Sequence, residues 1–205
     1  MKPRRFQPVA VDVLEDRLVL SAFAVPFSLV TPPASEVNPK FLNLTGRTES
    51  LINSSISNAF NRFDHSITNA LNAYNKASAH PTPGAPSPFL KLEANMTAAL
   101  NRLSGDLNYV AHKLPYGGVN LNPTLQHRVS GSAGVTDTTT GVNTPSLQSQ
   151  LTTLYYDGQF SPSQSRAAIN ATQSLVRADV KDYINLGVTN GYFRLTRGAT
   201  LPALS

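Results

Sequence analysis

Phe89-Leu-Lys-Leu-Glu-Ala-Asn-Met-Thr-Ala-Ala-Leu-Asn-Arg-Leu-Ser-Gly-Asp-Leu-Asn-Tyr-Val-Ala-His-Lys-Leu114 is the stretch that decides the fold class. Phe89, Leu92, Met96, Leu100, Leu103, Leu107, Val110 and Leu114 succeed one another at steps of three and four. A half-buried strand would alternate by two, whereas these steps return to one face of a helix with 3.6 residues per turn. The spacing therefore predicts an amphipathic helix whose apolar stripe must be covered by another element. Ser87-Pro88 predicts its start, an N-cap followed by proline at the first helical position, where the missing amide hydrogen is not needed. Pro115 and Gly117-Gly118 predict its end. Gly105, in its interior, costs about 1 kcal/mol relative to alanine.

Upstream lies a matching segment. Ile52, Ile56, Phe60, Phe63, Ile67, Ala70 and Tyr74 also recur at threes and fours, predicting a helix over residues 46–79 with Thr45 as N-cap. Its other faces carry Asn53, Ser57, Asn61, Asn69 and Asn72, which are mediocre helix formers, so this helix depends on packing against a partner. The run from His80 to Pro88, with four prolines and a glycine, stops it and stiffens the connection. At 1.5 Å per residue the two helices are on the order of 40–50 Å long, and the connection lets the second fold back antiparallel on the first.

Downstream, residues 115–144 read as a flexible polar loop, with Ser130-Gly131-Ser132 and Thr138-Thr139-Thr140-Gly141 offering little to bury. Thr144-Pro145 predicts the opening of a short third helix with Leu147, Leu151, Leu154 and Tyr155 on one side, closed by Asp157-Gly158. Ser161-Pro-Ser-Gln164 has the form of a capping box. The fourth helix then carries Ala168, Ile169, Ala171, Leu175, Val176, Val180, Tyr183, Ile184 and Leu186, with Gly187 as its left-handed cap. Asn190-Gly191 signals a turn, and Tyr192-Phe193 are placed to pack back on the bundle before a tail over residues 192–205. Prolines at 26, 32, 33 and 39 make residues 25–44 a linker. The expected architecture is all-α: a long antiparallel hairpin over 45–114 and a second helical pair over 145–191, four helices in all.

Composition narrows the function classes. The 205 residues fit one domain with tails. The chain has no cysteine, which removes disulfides, thiol catalysis, Cys-ligated zinc and iron–sulfur clusters together. Charged residues are 14% of the chain, against roughly 25% in ordinary globular proteins, and the net charge of +5 comes from scattered Lys and Arg. A nucleic-acid binder concentrates its charge on one face, which here would require Arg102, Lys113, Arg166, Arg177 and Lys181 to align.

Candidate chemistry is sparse. His65, His80, His112 and His127 lack the i, i+4 spacing of a helical metal site and read as solvated or capping side chains. Asp179 and Asp182, three apart on the fourth helix beside Lys181, could share a proton or a cation, but such a pair more often forms a solvated, ion-paired face. No calcium loop, nucleophile elbow or phosphate-binding glycine loop occurs. The expectation is no catalytic, cofactor-binding or metal-binding residue. Phe60, Phe63 and Tyr74, if turned outward, would offer a ridge for self-association, a possible homo-oligomer.

The N-terminus bears on destination rather than chemistry. Arg4, Arg5, Phe6, Leu14, Glu15, Arg17, Leu20, Ser21 and Ala22 resemble, in order, the LEPR-XLL-type signature of exported and surface proteins in planctomycete bacteria. Asp16 stands where proline often sits, and Val19 replaces a leucine. In that family the signature precedes very different bodies, so the resemblance implies an address over residues 1–24 and no fold or activity. The residues alone give a weaker form of this reading: a basic start, a mostly apolar run from Leu18 to Val30, and the small-x-small Ala22-Phe23-Ala24. An amphipathic N-terminal arm is the alternative. The run is too short and too charged for a transmembrane helix, which needs about 20 apolar residues. The expected role is an exported, non-catalytic surface or periplasmic component that binds or self-associates. The alternatives are a small helical enzyme whose acids meet only in three dimensions, or a basic nucleic-acid-associated protein.

Overall fold

A computed structural model describes residues 42–80, 86–114, 121–131, 135–136 and 143–196. Its elements run β1 (Leu42–Leu44), α1 (Gly46–Ala79), α2 (Pro88–His112), α3 (Leu121–Ser130), β2 (Val135–Thr136), β3 (Asn143–Thr144), α4 (Leu147–Tyr156), α5 (Pro162–Thr189) and β4 (Phe193–Leu195). The class is all-α, with five helices among the described residues. None of those helices is long and apolar enough to cross a membrane. The N-terminal signature and most of the proline-rich linker lie outside the described residues.

The two long helices form the expected hairpin. Arg62 pairs with Asp106 at 2.9 Å, while Ser66 and Asn69 lie opposite Arg102 and Asn95, so the numbering of α1 and α2 runs in opposite directions. Between them Ile52, Ile56, Phe60, Phe63 and Ile67 meet Leu100, Leu103, Leu107 and Val110 in one core. Phe60 and Phe63 are buried, so they form no outward ridge. Thr45 caps α1 as expected, accepting from the Thr48 amide at 3.1 Å. Ser87 does not cap α2 with its side chain, and proline at N1 removes one of the orphan amides such a cap would serve.

The largest departure from the sequence reading is α3. Residues 121–130 lie in the segment read as a loop, yet they fold into a helix whose Leu121, Leu125 and Val129 are buried in the common core. Its apolar pattern is only three residues long, and Pro123 breaks the look of a helix. Proline in a first turn forfeits no intrahelical bond, because the amides there have no carbonyl to reach. The same loop region contains the antiparallel pair β2–β3, Val135 opposite Thr144 and Thr136 opposite Asn143.

α4 and α5 form the second pair. α4 is capped by Ser146, whose hydroxyl accepts from the Ser149 amide at 3.2 Å, so the helix starts two residues later than the predicted Thr144-Pro145 opening. Ser161 caps α5, accepting from the Gln164 amide at 3.3 Å. α5 lies antiparallel to α1, since Arg177 reaches Ser57 and Arg166 reaches Asp64. Its buried stripe is Ser165, Ala168, Ile169, Thr172, Val176, Val180, Tyr183, Ile184 and Gly187, so two polar residues belong to the core face while Ala171 and Leu186 are exposed.

Gly187 does not cap α5. The helix continues to Thr189, and the left-handed residue is Gly191, with φ +76°. The Tyr192 amide bonds to the Gly187 carbonyl at 2.8 Å and the Gly191 amide to that of Val188 at 3.0 Å, the paired bonds of a Schellman cap. Gly158 ends α4 in the same way, with φ +69°. Gly187 is required for space instead: a Cβ there would collide with the Phe193 ring at Cδ2.

That ring leads to a second correction, at the two ends of the described chain. Leu42–Leu44, read as linker, and Phe193–Leu195, read as tail, pair as parallel strands, Leu44 opposite Leu195. The Thr196 amide and hydroxyl both donate to the Leu44 carbonyl at 3.0 Å. Leu44 and Phe193 are buried in the core, so the strands are anchored by side chains as well as by backbone bonds.

Candidate functional site

The concavity with the most concentrated chemistry lies where the first turns of α2 face α4. α2 presents Phe89, Leu92, Glu93, Met96, Thr97 and Leu100 at helical spacing; α4 presents Gln148, Thr152, Tyr155 and Tyr156. The groove between them is small and partly open to solvent. Phe89 and Met96, which the periodicity assigned to the seam, are only half-buried because they stand on its wall.

Tyr155 is its hub. The Phe89 ring lies 4.8 Å from it at a tilt of 31°, nearly stacked. Tyr74 at 6.3 Å, Tyr156 at 5.6 Å and Phe160 at 6.3 Å meet it edge to face. Both arrangements match the ring quadrupole, which favours offset stacks and edge-to-face contacts over eclipsed ones. Burial, then the interaction of its hydroxyl with that of Tyr74, then the neighbouring Tyr156 and the Glu93 carboxylate push Tyr155 up to about 12. The hydroxyl therefore stays protonated through the physiological range and supplies a neutral polar point. Tyr156 is 39% exposed at the rim. Glu93 is the one charged residue among those lining the groove.

The candidates raised from sequence fall elsewhere. Arg128 of α3 grips Asp179 of α5 with two bonds, Nε at 2.7 Å and an η nitrogen at 2.9 Å. The pair is largely buried, with side-chain exposures of 8% and 15%. Asp179 thus holds two helices together, while Asp182 is exposed to solvent. Among the described residues no group of three or more His, Asp or Glu side chains is placed to hold a metal. His65, His80 and His112 are exposed, and His112 reaches the Asn108 carbonyl at 2.8 Å through Nδ1.

Three of the five basic residues raised from the sequence have local partners. Arg166 pairs with Asp64 at 3.1 Å, Arg177 donates to the Ser57 hydroxyl at 2.8 Å, and Lys113 sits 4.7 Å over the Tyr109 ring. Arg102 lies apart, beside a groove between α1 and α2. Sequence reasoning missed the aromatic groove because Tyr74, Phe89 and Tyr155 were assigned to three separate stripes. The available signal was Phe89 and Glu93, four apart on one helix face, with the Tyr155-Tyr156 pair closing another.

No family model matches the sequence, and neither curated proteins nor solved structures give a match.

Proposed function

We propose that this chain is an exported, non-catalytic helical protein that works by binding, with the aromatic groove between α2 and α4 as its binding site. The observation that carries this reading is the groove itself. The apolar stripes of the long helices are otherwise spent on the core, yet here aromatic and thioether side chains are left lining a concavity with a few polar groups, the usual make-up of a ligand site. The non-catalytic part rests on the locking of Asp179 to Arg128 and on the solvent exposure of Asp182 and three of the histidines. The export part rests on residues 4–22.

Titration of the full chain with Nile red, a neutral solvatochromic dye, tests the binding site. Saturable one-to-one binding with a blue-shifted emission is expected, abolished by Gln148→Trp, which fills the groove from α4. Dye binding that is unaffected by Gln148→Trp, in a variant with unchanged circular dichroism, excludes the groove as the binding site.

A further inference from the structure

The groove has an electrostatic character that narrows what it holds. Its rim carries a carboxylate at Glu93, and none of the lining residues is basic. Glu93 makes no ion pair with any described residue, in contrast to Asp64, Asp106 and Asp179, each of which is matched by an arginine. Beside it stand the ring systems of Phe89, Tyr155 and Tyr156, whose faces carry partial negative charge. Along the same α2 wall, Leu92, Met96 and Leu100 add hydrocarbon and thioether. The resistance of the Tyr155 hydroxyl to ionisation agrees with a site that disfavours added negative charge.

An uncompensated carboxylate, aromatic faces and an apolar wall share one complement. We infer that the groove takes a small organic cation with an apolar body, an alkyl- or aryl-substituted ammonium, its charge set against Glu93 and the tyrosine rings and its hydrocarbon against Leu92, Met96 and Leu100. A cation over an aromatic face is attracted by the ring quadrupole, and a nearby carboxylate adds to that attraction. An anion of the same size gains the apolar contacts but is opposed by the Glu93 carboxylate. A neutral ligand gains the apolar contacts alone. The inference rests on the reading of the groove as a binding site and adds the charge of the ligand.

Isothermal titration calorimetry of the full chain with benzyltrimethylammonium, benzyl alcohol and phenylacetate tests it. The cation is expected to bind on the order of tenfold more tightly than the alcohol, and phenylacetate more weakly than either. Glu93→Gln is expected to lower the affinity for the cation about tenfold and to leave that for the alcohol unchanged. Tyr156→Leu, which keeps apolar bulk but removes a ring face, is expected to act in the same selective way. Because Glu93 and Tyr156 lie at the rim, neither change touches the core, and circular dichroism checks that the helices remain. Equal binding of cation and alcohol, or cation binding indifferent to Glu93→Gln, overturns the cation assignment and leaves a neutral apolar site standing. Failure of all three probes to bind overturns the binding-site reading as well.

Discussion

Two glycines show how the same residue type answers to different constraints. Gly105 lies on the exposed face of α2, and a methyl group added there meets nothing within 4 Å. Gly105→Ala is expected to stabilise the protein by about 1 kcal/mol, the ordinary difference in helix propensity. Gly187 is also helical, so propensity alone favours alanine equally, but the Phe193 ring occupies the space. Overpacking of this kind costs roughly 1–3 kcal/mol, which outweighs the propensity gain, so Gly187→Ala is expected to destabilise. Urea denaturation of the two variants should give shifts of opposite sign. Tyr155 offers a test of the aromatic cluster. Its folded pKa of about 12 lies above the unfolded value near 10, so between these values the native state holds a proton that the unfolded chain has lost. Its contribution to stability is therefore complete below pH 10 and vanishes as the pH rises through 12. Stability measured from pH 9 to 12 should fall, and Tyr155→Phe should make that fall shallower. A Tyr155→Phe variant with an undiminished alkaline decline would show that Tyr155 is not the responsible group.

At the scale of elements, the hairpin was legible because its signal is redundant. Eight apolar positions from Phe89 to Leu114 and seven in α1 each repeat one period, and no single residue has to be read correctly. α3 was not legible: three apolar residues, an early proline and a glycine-rich sequel carry too little periodicity, and the helix is stabilised by neighbours that the sequence does not place. The tie between α3 and α5 is a specific case. Arg128 and Asp179 are 51 residues apart and each reads as a surface charge, yet they form a largely buried two-bond pair. Removing one partner strands the other, so Asp179→Ala is expected to cost about 3–5 kcal/mol. One arginine nitrogen, Nη1, is already buried without an acceptor, so the pair is imperfectly satisfied. Replacing both partners by apolar residues, Arg128→Met with Asp179→Leu, should therefore recover most of the loss. A double-mutant cycle in which the double variant is as unstable as Asp179→Ala alone would remove this account of the α3–α5 contact.

For the whole molecule, the decisive contact joins segments that are farthest apart in the described chain. The β1–β4 pair brings Leu44 beside Leu195 and seats Phe193 against Gly187 and Tyr183, whose ring lies 5.9 Å away. Phe193→Ala is expected to cost about 3–5 kcal/mol, since it empties a filled site, whereas Leu195→Ala, 39% exposed on the same strand, is expected to stay within about 0.5 kcal/mol. Comparable losses from the two changes would show that the ring is not the anchor. The sequence by itself determined the helical class, the hairpin and most helix boundaries, because these depend on periodicity and on side chains that cap their own neighbours. Tertiary structure alone decided that residues 121–130 are a helix, that Gly187 makes room instead of ending a helix, that the two ends pair as strands, and that Tyr74, Phe89 and Tyr155 share one cluster. Local bonds leave a record within a few residues, whereas packing between distant segments depends on where each helix face points once the core closes, and no short run of sequence records that.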